Sequence, residues 1–192
     1  MDSVVIETQS VLDFWFGSPP GDYRQQWFRK DPDFDAQIKA RFLDLYWAMV
    51  ASTPEGWLKT AKSSLARIIV LDQFARNMFR GKPQSFAADP QALQTAVMAI
   101  ERGYGDELLP VERFFLYLPF EHSEHLTHQH RCVEYFEALV QVAPDLEHGL
   151  EYARRHRDVI ARFGRFPHRN EVLGRQSTEA ELEFLKQPGA RF

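Results

Sequence analysis

Apolar residues in this chain return at intervals of three and four wherever they can be followed, and that period allows little except helix. Phe34, Ile38, Phe42, Leu45 and Met49 are spaced 4, 4, 3 and 4 apart. They form one stripe of a helix over about residues 33–52. Leu126, Val133, Phe136 and Val140 predict a second helix over roughly 122–142. Leu150, Ala153, Ile160 and Phe163 predict a third, closed by Gly164. Weaker stripes point to helices near 9–16, 54–79, 90–102 and 110–118. Strand-like alternation is hard to find, so the fold class is all-α.

The helix starts carry their own chemistry. Asp31-Pro32, Thr53-Pro54 and Asp89-Pro90 each place a capping residue before a proline. Proline loses nothing at the first helical position, where the N–H has no intrahelical partner. Thr178 with Glu181 reads as a capping box for a short last helix. Prolines 83, 110, 144 and 167 punctuate the connections. No linker, low-complexity stretch or charge block divides the chain. Residues 1–192 are therefore expected to form a single domain of about seven to nine helices, as a bundle or a short α-solenoid. No exact 34-residue repeat is present.

Composition narrows the function classes. Hydrophobic residues are 44% and charged residues 26%, which excludes a disordered or fibrous chain. A formal charge of -4 argues against nucleic acid and acidic membranes as partners. The longest aliphatic run, Ile68–Leu71, falls far short of the roughly 18 apolar residues of a membrane span. Met1-Asp2-Ser3 has no basic leader pattern, so a cytoplasmic location is expected. Cys132, the only cysteine, suits a reducing compartment and reads as a small buried apolar residue. The 26 aromatics leave room for a homodimer face.

Arginine outnumbers lysine 17 to 6, a bias toward forked grip on carboxylate or phosphate. Three stretches concentrate the polar chemistry. In Leu71–Gly81, Asp72, Arg76 and Arg80 fall four apart on a helix, with Gln73 and Asn77 beside them. Asp72 there orients Arg76 while Arg80 points at an anion; the plain alternative is an exposed ion pair worth ~0.3–0.5 kcal/mol. Pro119–His130 holds four histidines and two glutamates. On a continuous helix His122, His125 and Gln129 would share one face and Glu121, His125 and His128 another. The zinc order H-E-x-x-H is absent and no paired cysteines help, so no metal or other cofactor is expected. Between 154 and 175 lie seven arginines against only Asp158 and Glu171. His156-Arg157-Asp158 resembles a kinase catalytic loop, but the asparagine needed five positions on is Phe163, which excludes a kinase.

These stretches, with Val11–Gly17 and Trp27–Asp31, resemble the DUF924 family of uncharacterised bacterial proteins. The likeness spans nearly the whole chain and is most specific at Leu71–Arg80, Glu112–Glu124 and His156–Thr178. It implies a tetratricopeptide-like α-α superhelix or a related irregular bundle, and no established activity. It marks Arg76, Asn77, Arg80, His122, Ser123, Glu124, His156, Asp158, Arg162, Arg165, His168, Arg169 and Asn170 as motif positions, but not His125, His128 or His130. Ala75 departs from the usual proline, which implies a more continuously helical backbone there.

The sequence thus leads to a groove that takes an anionic small molecule or acidic peptide. Its expected wall is Arg76, Asn77, Arg80, His122, Ser123, Arg162, Arg165, His168, Arg169 and Asn170. A second reading is a metal-independent hydrolase or transferase using His122 with Glu124, or His156 with Asp158. Residues 122 and 124 point about 200° apart on one helix, which counts against the first pair. A third reading gives the arginines a purely structural role.

Overall fold

The computed structural model describes residues 3–21, 23–52 and 55–190. Among these every regular element is helical. Helix α1 (Ser3–Phe16) leads through a short 3-10 turn, Gln25–Trp27, to α2 (Pro32–Ala51). Helix α3 (Ala61–Ile68) widens into a π-helical segment, Ile69–Phe74, and continues as α4 (Ala75–Met78). Then come α5 (Asp89–Glu101), α6 (Pro110–Glu121), α7 (Leu126–Val142), α8 (Glu147–Phe163) and α9 (Glu179–Phe184).

The packing is that of an irregular helical bundle. Helix α3 lies at the centre, against α1, α5 and α6, and its residues from Ser63 to Ile68 are all buried. Helix α2 packs against α4 and the π-helical segment, and α6 joins α3 and α5 to α7 and α8. The aromatic surplus fills the space between α1, α2 and α6: Trp15, Phe16, Trp27, Phe34, Phe42, Phe74 and Phe115 are buried against one another. The Trp27 indole donates to the Trp15 carbonyl at 2.9 Å. Helix α6, α7 and α8 form an antiparallel stack that passes Gly149 against Phe114 and Phe136. A Cβ there would sit 2.5 Å from Phe114 Cε2 and 2.6 Å from Phe136 Cε1. Gly149→Ala should therefore lower stability by about 2 kcal/mol in chemical denaturation, although alanine is the better helix former.

Several starts and stops fall where their capping chemistry put them. Asp31 caps α2 by accepting from the Asp33 and Phe34 amides. Thr178 and Glu181 form the predicted box, with bonds of 3.2 and 2.7 Å. Gly164 closes α8 at a φ of 68°. Cys132 is wholly buried. Three expectations need correction. The helix read over 54–79 starts instead at Ala61, because Thr60 and Ser63 cap each other reciprocally; Thr53-Pro54 lies outside the described residues. Asp89 is the first residue of α5, not its cap, and its carboxylate is spent on arginines. The helix read over 122–142 is broken at His122–His125, so the two shared histidine faces do not exist. Gln129 staples that break: its amide donates to the carbonyls of Phe120, Glu121 and Ser123, at 3.3, 2.6 and 2.7 Å. The Phe120 and Glu121 carbonyls are among the last four of α6, which have no intrahelical donor.

Candidate functional site

The site begins with the π segment. The run Ile68-Ile69-Val70-Leu71 is buried on all sides, so the next turn must pack as well. Asp72 and Gln73 lie in that widened turn, both buried. Asp72 is fully buried and takes three donors. Gln73 Nε2 donates at 2.6 Å, His122 Nδ1 at 2.7 Å and Arg76 Nη1 lies at 3.1 Å. Burial alone would raise the Asp72 carboxyl, but Arg76 and His122 overcome it and hold the group well below the usual carboxylate range. An ionised Asp72 can only accept. Nδ1 of His122 therefore carries the proton and Nε2 the lone pair.

Two arginines share a second acid. Arg76 donates to both oxygens of Asp89, at 2.9 and 3.1 Å, and Arg169 Nη1 reaches Asp89 Oδ2 only at 3.4 Å. The Arg169 guanidinium is clamped between the rings of Phe86 and Phe166, 4.6 and 4.5 Å from their centroids. Its side chain is 7% exposed, and its Nε has no hydrogen-bond partner. Burial pulls its pKa down to about 10, against the opposing pull of Asp89. This is an under-satisfied cation at the wall of a cleft.

Glu121, the last residue of α6, lies behind His122. It is 5% exposed, its Oε2 has no hydrogen-bond partner, and His156 Nδ1 stands 3.6 Å from Oε1. Burial, with the charge of Asp72 added, pushes the Glu121 carboxyl up to about 8. Burial also lowers all three histidines nearby. His168 falls to about 3 with Arg169 contributing, His156 drops well below its ordinary value, and His122 drops despite Asp72. Near neutrality the cluster holds two arginines, two aspartates, an uncharged carboxylic acid and three uncharged imidazoles.

The two arginines and three imidazoles of this cluster border a cleft of about 300 Å³, whose wall does not include the three acids. Arg76, Asn77, Arg80, His122, His168 and Arg169 all line it, joining helix α4, the end of α6 and the turn after α8. The remaining wall is Gln73, His156, Phe86, Trp27 and Phe28, with Gly81 and Ser85. Arg80 is already held by Asp35 of α2 at 2.8 and 2.9 Å, and Asn77 donates to the same carboxylate at 2.7 Å. The fork expected to be free is thus a strut between α4 and α2.

The other predicted residues lie elsewhere. Ser123 borders an adjoining open groove and bonds His128 Nδ1 at 2.8 Å. Arg165 is tied to Glu181 at 2.7 and 2.8 Å, and Asn170 donates to Ser177 at 3.0 Å. Arg162 and Asp158 border a separate hollow near the C-terminus. The acid–base pairs read from sequence are replaced by others. Glu124 accepts from Arg175 and the Phe166 amide, so Asp72 serves His122. Asp158 pairs with Arg157, and the carboxyl near His156 is Glu121. Asp89 and Glu121 were missed as site residues because the first resembled a helix cap and the second one of many helical acids. No three-residue cluster of metal-binding side chains occurs among the described residues.

The fold and cleft together define an all-helical domain in which chain-distant polar segments converge on one hollow. The chain belongs to the DUF924 family, bacterial proteins of unknown function, whose model matches residues 11–189. It is similar over 95% of its length, at 39% identity and a TM-score of 0.85, to a protein of unknown function from Agrobacterium tumefaciens, of which it covers 98%. No curated protein matches it.

Proposed function

We propose that the cleft binds a small anionic ligand, with Arg169 and Arg76 as its cationic wall. The observation that carries this reading is Arg169: a buried guanidinium clamped between two rings, with a single long bond to an acid it shares. A buried donor left without an acceptor costs about 1–3 kcal/mol. A carboxylate or phosphate oxygen arriving from the cleft would recover that cost. Arg165 and Arg175, by contrast, each pair with a carboxylate that no second arginine shares, at 2.7 Å.

The test is calorimetric titration with acetate, succinate and inorganic phosphate. At least one should bind wild type, and Arg169→Ala should weaken it by roughly 30-fold or more. Binding unchanged in the variant would sink the proposal. A lower Tm in Arg169→Ala without any anion effect would favour the structural role instead.

A second reading is that the cleft also turns its ligand over without a metal, as a hydrolase or transferase. The Asp72–His122 contact of 2.7 Å favours it, because it fixes the tautomer a general base needs. Turnover lost in His122→Gln with anion binding retained would support this; no turnover across ester, amide and phosphoester panels would count against it.

A further inference from the structure

Beside the cleft lies a second hollow of about 410 Å³, and the two share Phe28, His122 and His156. Tyr23, Phe114, Leu118 and Tyr152 give it rings and aliphatic surface, and Glu121, His148 and Arg155 add polar groups. Arg155 lies over the Tyr152 ring, 4.9 Å from its centroid, and donates to the Gly189 carbonyl at 2.8 Å. Glu121 Oε2 and His148 Nε2 are buried without a hydrogen-bond partner. Ring and aliphatic walls with a few convergent polar groups are the usual make-up of a small-molecule site. Phe28, half exposed, lines both hollows and stacks on Tyr23 and Phe115.

Charge decides the head group. Around the first cleft Arg76 and Arg169 are matched by Asp72 and Asp89, and the strut Arg80 by Asp35. A wall with no net charge accepts one negative charge far more easily than two. Resting on the anion-binding reading above, we infer that the ligand is an elongated monocarboxylic acid with an aromatic body. Its carboxylate meets Arg169 and Arg76. Its ring passes His122 and His156 into the second hollow, where a hydroxyl substituent meets Glu121 or His148.

Titration of the full chain with acetate, 3-phenylpropionate, 3-(4-hydroxyphenyl)propionate and inorganic phosphate tests this. Affinity should rise at least about tenfold from acetate to 3-phenylpropionate through ring burial. The hydroxyl should add roughly another fivefold. Tyr152→Ala, a change at a half-exposed wall residue, should weaken both aryl acids several-fold and leave acetate untouched. In wild type, nuclear Overhauser contacts should join the probe ring to Phe114 and Tyr152. Contacts to Phe86 alone, or aryl acids binding no better than acetate, would overturn the two-hollow ligand and leave anion binding standing. Phosphate binding more tightly than every carboxylate would overturn the monocarboxylate assignment. Should no acid bind while phosphate does, and Arg169→Ala abolish that, the inference fails and the anion reading survives. Aryl acids that bind Arg169→Ala as tightly as wild type would remove both.

Discussion

Asp72→Ala should lower the stability of the protein by about 3 kcal/mol, the low end of what breaking a buried ion pair costs. Three donors converge on that fully buried carboxylate, and removing it leaves each of them short of an acceptor. Arg76 keeps Asp89, which is why the low end applies. For a chain of this length the loss corresponds to a drop in Tm on the order of 10 °C. The same change should free the His122 ring, so its Nδ1 proton would lose its characteristic hydrogen-bonded NMR signal. A loss below about 1 kcal/mol would mean that the three donors find other acceptors. Asp72→Asn, which keeps the volume and one acceptor oxygen, should fall between the two.

Glu121 should make stability fall as pH rises. Its folded pKa is about 8, above the roughly 4.3 of an unfolded chain. Between those values the folded state holds a proton that the unfolded state has released. The contribution is therefore complete below about pH 4 and lost by the time pH passes 8. At its steepest the slope is about 1.4 kcal/mol per pH unit. The groups facing Glu121 are Asp72, Arg76 and His156. His122, His156 and His168 tilt the curve the other way: their depressed pKa values give stability present above about pH 6.5 and lost on acidification. Denaturation of wild type and Glu121→Gln side by side separates the terms. The two should be close at pH 4 and diverge as pH rises to 8, the glutamine variant being the more stable. Parallel curves would show that Glu121 ionises normally.

Much of the fold could be read from the chain because helix signals are local. Asp31-Pro32, Gly164 and the Thr178–Glu181 box act over three or four residues, and each sits at a real helix end. The break at His122–His125 was hidden because what stabilises it, Gln129 reaching back to three carbonyls, is a tertiary device. Residue type and the family resemblance single out Arg76, His122, His168 and Arg169, but only the fold brings them to one cleft. Neither pairs Arg80 or Arg175 with the acid that neutralises it. Arg80 and Asp35 are 45 positions apart, Arg175 and Glu124 are 51 apart, and separation in sequence says nothing about distance. Phe28 and Phe86 also gave no sign of their place, since a phenylalanine facing a cleft has the same spacing as one facing the core.

The widened turn at Ile69–Phe74 carries one more residue than an ordinary one would need. A turn of this kind takes up its extra residue by under-winding, so the residues after it stay in phase with those before. Removing a single position there would restore a regular rod with Arg76, Asn77 and Arg80 still facing the hollow and α3 still seated against α1, α5 and α6. A one-codon insertion or deletion is thus a change this architecture can absorb locally, at the turn that carries Asp72, without dismantling the pocket wall beyond it.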